Sequence, residues 1–600
     1  MLLKLIYLTS AIVSILLTIR FALVFFAQAD ADLLSWDQAA RADEVVRLAK
    51  EIYHFQIFKF FIHVFSLNWW PPLLPLIMLP FCLILGPSLS AAVIPSFIAF
   101  PLTVLAILFL YENSYEGSAE KKLMGFSFLF ALSVTSPLLV SSASWVMVEI
   151  FGVLLTSLVF GFYFQARQSN LSKSYKICAI LSFLLLTLKY NYGLFVLLVL
   201  FFGEITRNLD WIRSQRFSLK TFRPLFKPVL YPAYALFFLI MWIALTEGDK
   251  INVFGFKLSL TNIYNPIMYL YLYLLIVVVF KLKKNWLKIK EKLKIGQKEL
   301  LLWGVLPVGI FLALPDKIKA IIKNLEAGRK VKSGFSLEQV MFYLRSLGQD
   351  YSLFLPLGIF VLVLFGLAII KIKRTPSGIR YLMLFFLLGY VLIGFIFQLR
   401  EGRFIANFVP ALWVISAWMV DFISKKISIK YKAIVAAFIS ILAIVISLFS
   451  PILVHKAKKQ PWAPWARHQM IYRSLINPVI EKAENAQKIF VSGNKDLGFG
   501  PLLEWKLQIA HFKQRNFKLK LDDLDAEKNN DHTFLEMINR ADIEMIFFYI
   551  VQEGESENRL KRWTQLLKQS DRYELIEEEF YEEPKPFHLL IFSKKFTFSS

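Results

Sequence analysis

Trp69-Trp70-Pro71-Pro72-Leu73-Leu74-Pro75-Leu76-Ile77-Met78-Leu79-Pro80-Phe81-Cys82-Leu83-Ile84-Leu85 is the stretch on which the topology of this chain turns. It is apolar enough to enter a bilayer but falls short of the roughly 20 residues a spanning helix needs. It opens on a Pro-Pro pair, carries Pro75 and Pro80, and stops at Gly86-Pro87, so helix breakers stand at both ends. Counted as a span, it would move every later loop to the other side of the membrane.

The 600-residue chain is 57% hydrophobic, 16% aromatic and 19% charged, with a mean hydropathy of +0.54. Its repeated long apolar runs mark an integral, multi-pass membrane protein. A net charge of +24 would suggest nucleic acid for a soluble chain. Here the Lys and Arg residues crowd into short loops between apolar runs, which is cytoplasmic loop charge, so no nucleic-acid partner is expected. Cys82 and Cys178 both lie inside apolar segments, which excludes a disulfide framework or a cysteine metal site. Ala27-Gln28-Ala29 has the look of a signal cleavage site, yet the run from Leu5 to Phe26 exceeds a signal core. An uncleaved anchor is expected, with Arg20 snorkelling or paired inside the bundle.

The remaining apolar runs give spans at 5–27, 90–111, 123–142, 147–165, 177–189, 191–206, 228–246, 263–280, 300–314, 352–370, 381–398, 404–423 and 433–454. With a cytoplasmic N-terminus and the Pro71–Leu85 stretch left out, the basic clusters Arg207–Lys227, Lys281–Lys298, Lys371–Arg380 and Lys425–Lys432 all fall inside. Counting the stretch as a span would put them all outside. It is therefore expected to be an interfacial or re-entrant helix on the outer face. The basic loop 315–350 is the exception, and long loops weaken the rule.

The expected fold is an α-helical polytopic membrane protein of about 13 transmembrane helices, residues 1–455, with a first outer loop at 28–89 holding juxtamembrane helices. Residues 456–600 form a C-terminal extracytoplasmic α/β domain. Its signals are strands at Lys488–Gly493, Ile543–Ile550, Tyr573–Phe580 and Phe587–Phe592 and a helix over Asn558–Lys568. The glycines Gly493, Gly498 and Gly500 are wrongly spaced for a dinucleotide fingerprint.

The outer face collects the charged residues that could do chemistry. The acidic segment Ala29 to Glu44 follows the first span, and Asp37 precedes a helix whose apolar positions are Ala39, Ala42, Val45, Val46, Leu48 and Ala49. Asp37 is either a reactive carboxylate or a helix cap. Asp30, Asp32, Asp43 and Glu44 read as a solvated loop or helix face. Glu149 opens an apolar span, where it is functional or complements the helix dipole. Lys189 interrupts an apolar stretch in Lys189-Tyr190-Asn191-Tyr192-Gly193, and Arg400 and Arg403 stand where another span emerges. Carboxylates and cations on one face suit deprotonation of an acceptor beside a departing phosphate.

In order, these elements resemble the multi-spanning GT-C glycosyltransferases, specifically the protein O-mannosyltransferase and aminoarabinose transferase type of family 39. The matching elements are Asp37, then Trp70-Pro71-Pro72-Leu73 and Leu85-Gly86-Pro87-Ser88, then Ala91-Ala92-Val93-Ile94-Pro95-Ser96. Ser136-Pro137-Leu138-Leu139 leading to Glu149, Leu188-Lys189-Tyr190, and Arg403 through Pro410 follow. The resemblance covers residues 1–200 and 395–425. It implies a polyprenyl-phosphate-linked sugar as donor, an inverting transfer to a glycan, lipid or protein acceptor, and a bacterial-type inner or plasma membrane. It implies Asp37 as general base, Lys189 with Arg400 or Arg403 on the lipid phosphate, Glu149 orienting acceptor or sugar or assisting a divalent metal, and Trp70, Pro71 and Pro72 at the lipid entrance. No cofactor is certain from it. The chain departs from the family at Gln38, where a second carboxylate is usual, and at Glu149, usually an Asp preceded by Arg and Pro. A transporter or lipid flippase and an inactive relative are the competing readings; the internal repeats expected of a transporter are not found.

Overall fold

Backbone N–H and C=O groups in hydrocarbon must pair within their own segment, so the apolar runs fold as helices. The structure is a computed structural model. It describes residues 2–28, 36–67, 71–207, 228, 231–246, 250–253, 256–259, 266–277, 280, 296–314, 316–322, 337–396, 402–458, 480, 482–483, 486–493, 500–513, 518–522, 534, 538, 542–551, 555–581 and 587–595.

The first helices are α1 (Leu2–Gln28), α2 (Trp36–Tyr53), α3 (Ile57–Ser66), α4 (Leu73–Leu85), α5 (Leu89–Ser114), α6 (Leu123–Thr135), α7 (Pro137–Ser142), α8 (Glu149–Ser169), α9 (Ser172–Leu188) and α10 (Tyr190–Arg207). Later described helices include Tyr231–Thr246, Leu337–Gln349, Leu355–Ile370, Ser377–Ile396, Val409–Ile423 and Ile429–Phe449. Five described helices are long and apolar enough to cross a membrane: Lys4–Ala27, Leu89–Ser114, Glu149–Ser169, Gly402–Lys426 and Ile429–Phe449. The chain is an integral membrane protein. Helix α5 is the hub, packing on α8 along its length and on α1 and α4 at its sides.

Two expected spans differ in detail. The run 123–142 is not one helix but α6 and α7, broken at Ser136-Pro137, where Pro137 removes a backbone donor and Ser136 Oγ caps α7 through the Leu139 amide. The run from 404 opens as a 3₁₀ segment, Gly402–Phe408, before Val409–Ile423 continues as α-helix. Helix α4 has 13 residues with Pro80 inside. That is about 20 Å at 1.5 Å per residue, against a hydrocarbon core of about 30 Å, so α4 is too short to cross. It packs instead on α2 and α5.

The bundle has two distinct ends. At the end where α8 finishes, Asp421 accepts from the Tyr111 and Tyr115 hydroxyls, the latter at 2.7 Å, and from the Gly125 amide at 2.8 Å. This pins α5, α6 and Val409–Ile423 together. Nearby, Tyr7 donates to Glu112 at 2.7 Å. Arg20 is satisfied within the bundle, its Nη1 donating to the Ser447 carbonyl at 2.7 Å. The other end, where α8 begins, carries α2 and the Gly402–Phe408 segment.

The C-terminal portion holds a five-stranded sheet of β3 (Lys488–Gly493), β4 (Lys518–Asp522), β5 (Met545–Val551), β6 (Tyr573–Tyr581) and β7 (Phe587–Lys594), in order β4-β3-β5-β7-β6. An earlier hairpin, β1 (Lys250–Val253) and β2 (Phe256–Ser259), pairs antiparallel. β3 is parallel to β4 and β5, while β7 is antiparallel to β5 and β6. On one face of the sheet Trp563, from the helix Glu555–Lys568, stacks on Phe534 with ring centroids 4.0 Å apart. The helix Gly500–Ala510, with buried Trp505 and Leu507, packs on α2. Cys82 and Cys178 are free and buried.

Candidate functional site

A one-residue interruption between two helices brings charge to the α2 end of the bundle. Helix α9 ends at Leu188, and Lys189 alone is extended (φ −158°, ψ 119°) before α10 starts at Tyr190. The turn closes because Gly193 lies directly against the Leu186 backbone, where a Cβ would collide. The one-residue break points Lys189 Nζ at Glu149 in the first turn of α8, 3.6 Å from Oε1. Glu149 is only 2% exposed, and the cost of burying it is offset by this cation.

The lysine is held by aromatic rings, its Nζ lying 4.5 Å from the centre of Tyr192 and 5.5 Å from that of Phe404. Arg403, buried in the 3₁₀ segment, stacks on Phe404 at 5.2 Å and approaches Met147 Sδ at 3.7 Å. Both Arg403 and Arg41 act electrostatically on Glu149 and Lys189. Lys189, about a fifth exposed, and the buried Arg403 and Arg41 thus lie around Glu149. Glu149 Oε2 and Asn407 Nδ2 are buried with no hydrogen-bond partner among the described residues, while Asn407 Oδ1 accepts from Thr156. Such orphaned groups mark a place where a ligand or water is expected. Glu149 also borders a cavity of about 10 Å³, one water in size, shared with Ser142, Tyr351, Pro410 and Trp413. Tyr351 closes it from the following loop, its hydroxyl donating to the Gly402 carbonyl at 2.9 Å.

Of the residues expected from sequence, Glu149, Lys189 and Arg403 therefore meet. Asp37 lies in the first turn of α2 by its backbone, its side chain being outside the described residues. Arg400, Trp70, Asp30 and Asp32 are also outside the described residues. Pro71 and Pro72 are buried just before α4. The expectation that Asp43 and Glu44 are solvated is corrected. Asp43 is buried and paired with Arg47 at 2.6 Å; burial pushes its carboxyl up to about 6, against the opposing pull of Arg47. Glu44 Oε2 and Glu51 Oε1 flank His63 of α3, at 3.0 and 3.2 Å. Burial alone would lower His63, but these hydrogen bonds outweigh it and hold the imidazole at about 9. The two helices are thereby latched together.

Two residues of α2 were not expected at the site. Gln38 is fully buried and its Oε1 accepts from the Val146 amide at 3.0 Å, fixing the segment that leads into Glu149. Arg41, one turn on along the same face, is 4% exposed. The signal was a polar pair at i, i+3 on the side of α2 that also bears the apolar Ala42 and Val45. Among the described residues no group of three or more His, Cys, Asp or Glu could hold a metal ion.

No protein-family model matches the sequence, and no curated protein does. Among solved structures, the chain is similar to ArnT from Cupriavidus metallidurans in the apo state, with a TM-score of 0.46 and 10% identity over 96% of this chain and 97% of that one. It is likewise similar to ArnT from the same organism bound to undecaprenyl phosphate, with a TM-score of 0.49 and 10% identity over the same shares.

Proposed function

We propose that this chain is a GT-C-type membrane glycosyltransferase that moves a sugar from a polyprenyl-phosphate donor to a glycan, lipid or protein acceptor on the extracytoplasmic face. The observation that carries this reading is the pair of the buried Glu149 with the partly exposed Lys189, with Arg403 beside it, at the end of the bundle that holds α2. A partly exposed cation beside a buried carboxylate, with a second cation next to it, suits an anionic leaving group. In this reading the lipid tail lies between helices near Pro71 and Pro72, and the sugar faces α2. Asp37 takes the proton from the acceptor hydroxyl, whose oxygen attacks the anomeric carbon from the face opposite the phosphate. The C–O bond to the phosphate breaks with inversion, and Lys189 and Arg403 hold the departing phosphate, with Arg400 at its approach. Glu149 holds Lys189 in place and offers its free oxygen to a hydroxyl of sugar or acceptor.

The test is transfer from polyprenyl-phosphate sugars by the full-length protein in lipid nanodiscs. Asp37→Asn is expected to lower the rate roughly 10²- to 10⁴-fold, the range for losing a general base, with donor binding retained. Unchanged transfer in that variant overturns Asp37 as base. Wild-type binding of undecaprenyl phosphate without transfer of any sugar favours the inactive relative.

A further inference from the structure

At the end of the bundle where α8 finishes, away from Glu149, the ends of α5 and α8 and the start of the helix Ser377–Ile396 border a cleft of about 270 Å³. That is far more than the about 15 Å³ one water needs. The helices meet there backbone to backbone, since a Cβ on Gly378 would strike the Ser114 carbonyl. Among the described residues lining the cleft are one cation, Arg167, and one carboxylate, Glu116, and neither makes an ion pair with a described residue. Arg167 is held by rings of two helices, its guanidinium 5.7 Å from the centre of Tyr163 and 5.0 Å from that of Tyr381, which also hydrogen-bonds it. Glu204, the carboxylate that acts on it, accepts from the Tyr163 hydroxyl at 2.8 Å and from Gln297 at 3.0 Å. Glu116 is exposed. Lys122, whose charge it acts on, turns its Nζ instead to the Glu112 carbonyl at 2.5 Å and to the Tyr115 carbonyl.

A ligand that answers both groups carries an anion and a cation a few bonds apart. The N–H fork of an arginine suits a phosphate, and a carboxylate suits a primary ammonium, whose N–H groups are all donors. A quaternary ammonium would need open ring faces. The Tyr115 ring is already engaged by Lys122 Nζ, 4.2 Å from its centre, and Phe164 is packed among Phe160, Tyr163 and Tyr381. A purely anionic group would suit Arg167 and the exposed Lys371, Lys373, Arg374 and Arg380 of the neighbouring segment, but would leave Glu116 facing like charge. We propose that this cleft binds a phosphoethanolamine group, phosphate on Arg167 and ammonium on Glu116, presented by a phospholipid or free in solution. The site stands apart from the transferase reading and lies at the opposite end of the bundle from Glu149.

The test titrates the full-length protein in detergent with phosphatidylethanolamine, phosphatidylcholine and phosphatidylglycerol of the same acyl chains, followed by native mass spectrometry. Wild type is expected to bind phosphatidylethanolamine about tenfold or more tightly than either of the others, the scale of one charged hydrogen bond. Glu116→Gln is expected to erase the preference over phosphatidylglycerol, and Arg167→Gln to weaken both of these lipids about tenfold. Glu116 lies in the loop after α5, so its variant keeps the test independent of the packing that Arg167 provides. Displacement of the lipid by O-phosphoethanolamine at equal concentration assigns the site to the free compound; no displacement assigns it to the phospholipid. Wild-type binding of phosphatidylglycerol or phosphatidylcholine as tight as that of phosphatidylethanolamine overturns the proposal, as does a preference that survives Glu116→Gln.

Discussion

At the scale of single residues, the site depends on groups whose neighbours are far away in sequence. Gln38 is enclosed in the first turn of α2, where its neutral side chain accepts from the Val146 amide at 3.0 Å without adding a charge. Gln38→Glu would bury an extra negative charge at a fully enclosed position. It is expected to lower stability by about 1–3 kcal/mol and not to raise transfer, read as a drop in thermal unfolding temperature beside the rate. Gly152 is equally constrained, since a Cβ there would overlap the Tyr192 ring that lies over Lys189. Gly152→Ala is expected to displace that ring and reduce undecaprenyl phosphate binding, while a matched Gly366→Ala, where a Cβ meets open space, leaves it unchanged. Lys189 was legible because a cation in an apolar run is costly unless used. Arg41 was not, because its burial follows from how α2 packs, which only folding decides.

At the scale of elements, the latch between α2 and α3 is a pH-dependent joint. His63 is raised from 6.5 to about 9 by Glu44 and Glu51 against burial. A raised basic group contributes fully below its unfolded value and loses that contribution as pH rises through its folded value. The joint is therefore expected to hold fully below about pH 6.5 and to weaken progressively from there to about pH 9. Hydrogen exchange of α3 amides, corrected for intrinsic rates, should rise across that window and lose the step in His63→Ala. Asp43, raised to about 6, works on the same helix at lower pH; its protonated form is favoured by folding, so α2 gains stability as pH falls below 6. Lys50, lowered to about 8 by burial, favours α2 as pH rises above 8, so the loss that disappears in His63→Ala is the part that belongs to His63. Sequence periodicity placed α2, α8 and the strands at 488, 545, 573 and 587 within a few residues. It did not separate α6 from α7, because Ser136-Pro137 sits in an otherwise unbroken apolar run. It also missed β4, whose Lys-Leu-Lys-Leu-Asp alternation is that of an edge strand with charge on one face.

At the scale of the whole molecule, the helix Gly500–Ala510 lies on α2, so the C-terminal sheet and the charged site share a support. Trp505→Ala removes a large side chain only 1% exposed, a change that typically costs about 3–5 kcal/mol. Its effect is expected to spread to α2 as lost amide protection, with α5 and α8 unaffected; protection unchanged in α2 would mean the two parts fold independently. The other end of the bundle behaves in the opposite way. Asp421 binds Tyr111 of α5, Tyr115 just past its end and the first turn of α6, so three rods are riveted together at the end away from Lys189. Rods joined at one end can be spread only at the other, as with tongs. Any parting of these helices would therefore hinge at Asp421, a carboxylate at the opposite end of the bundle from Glu149.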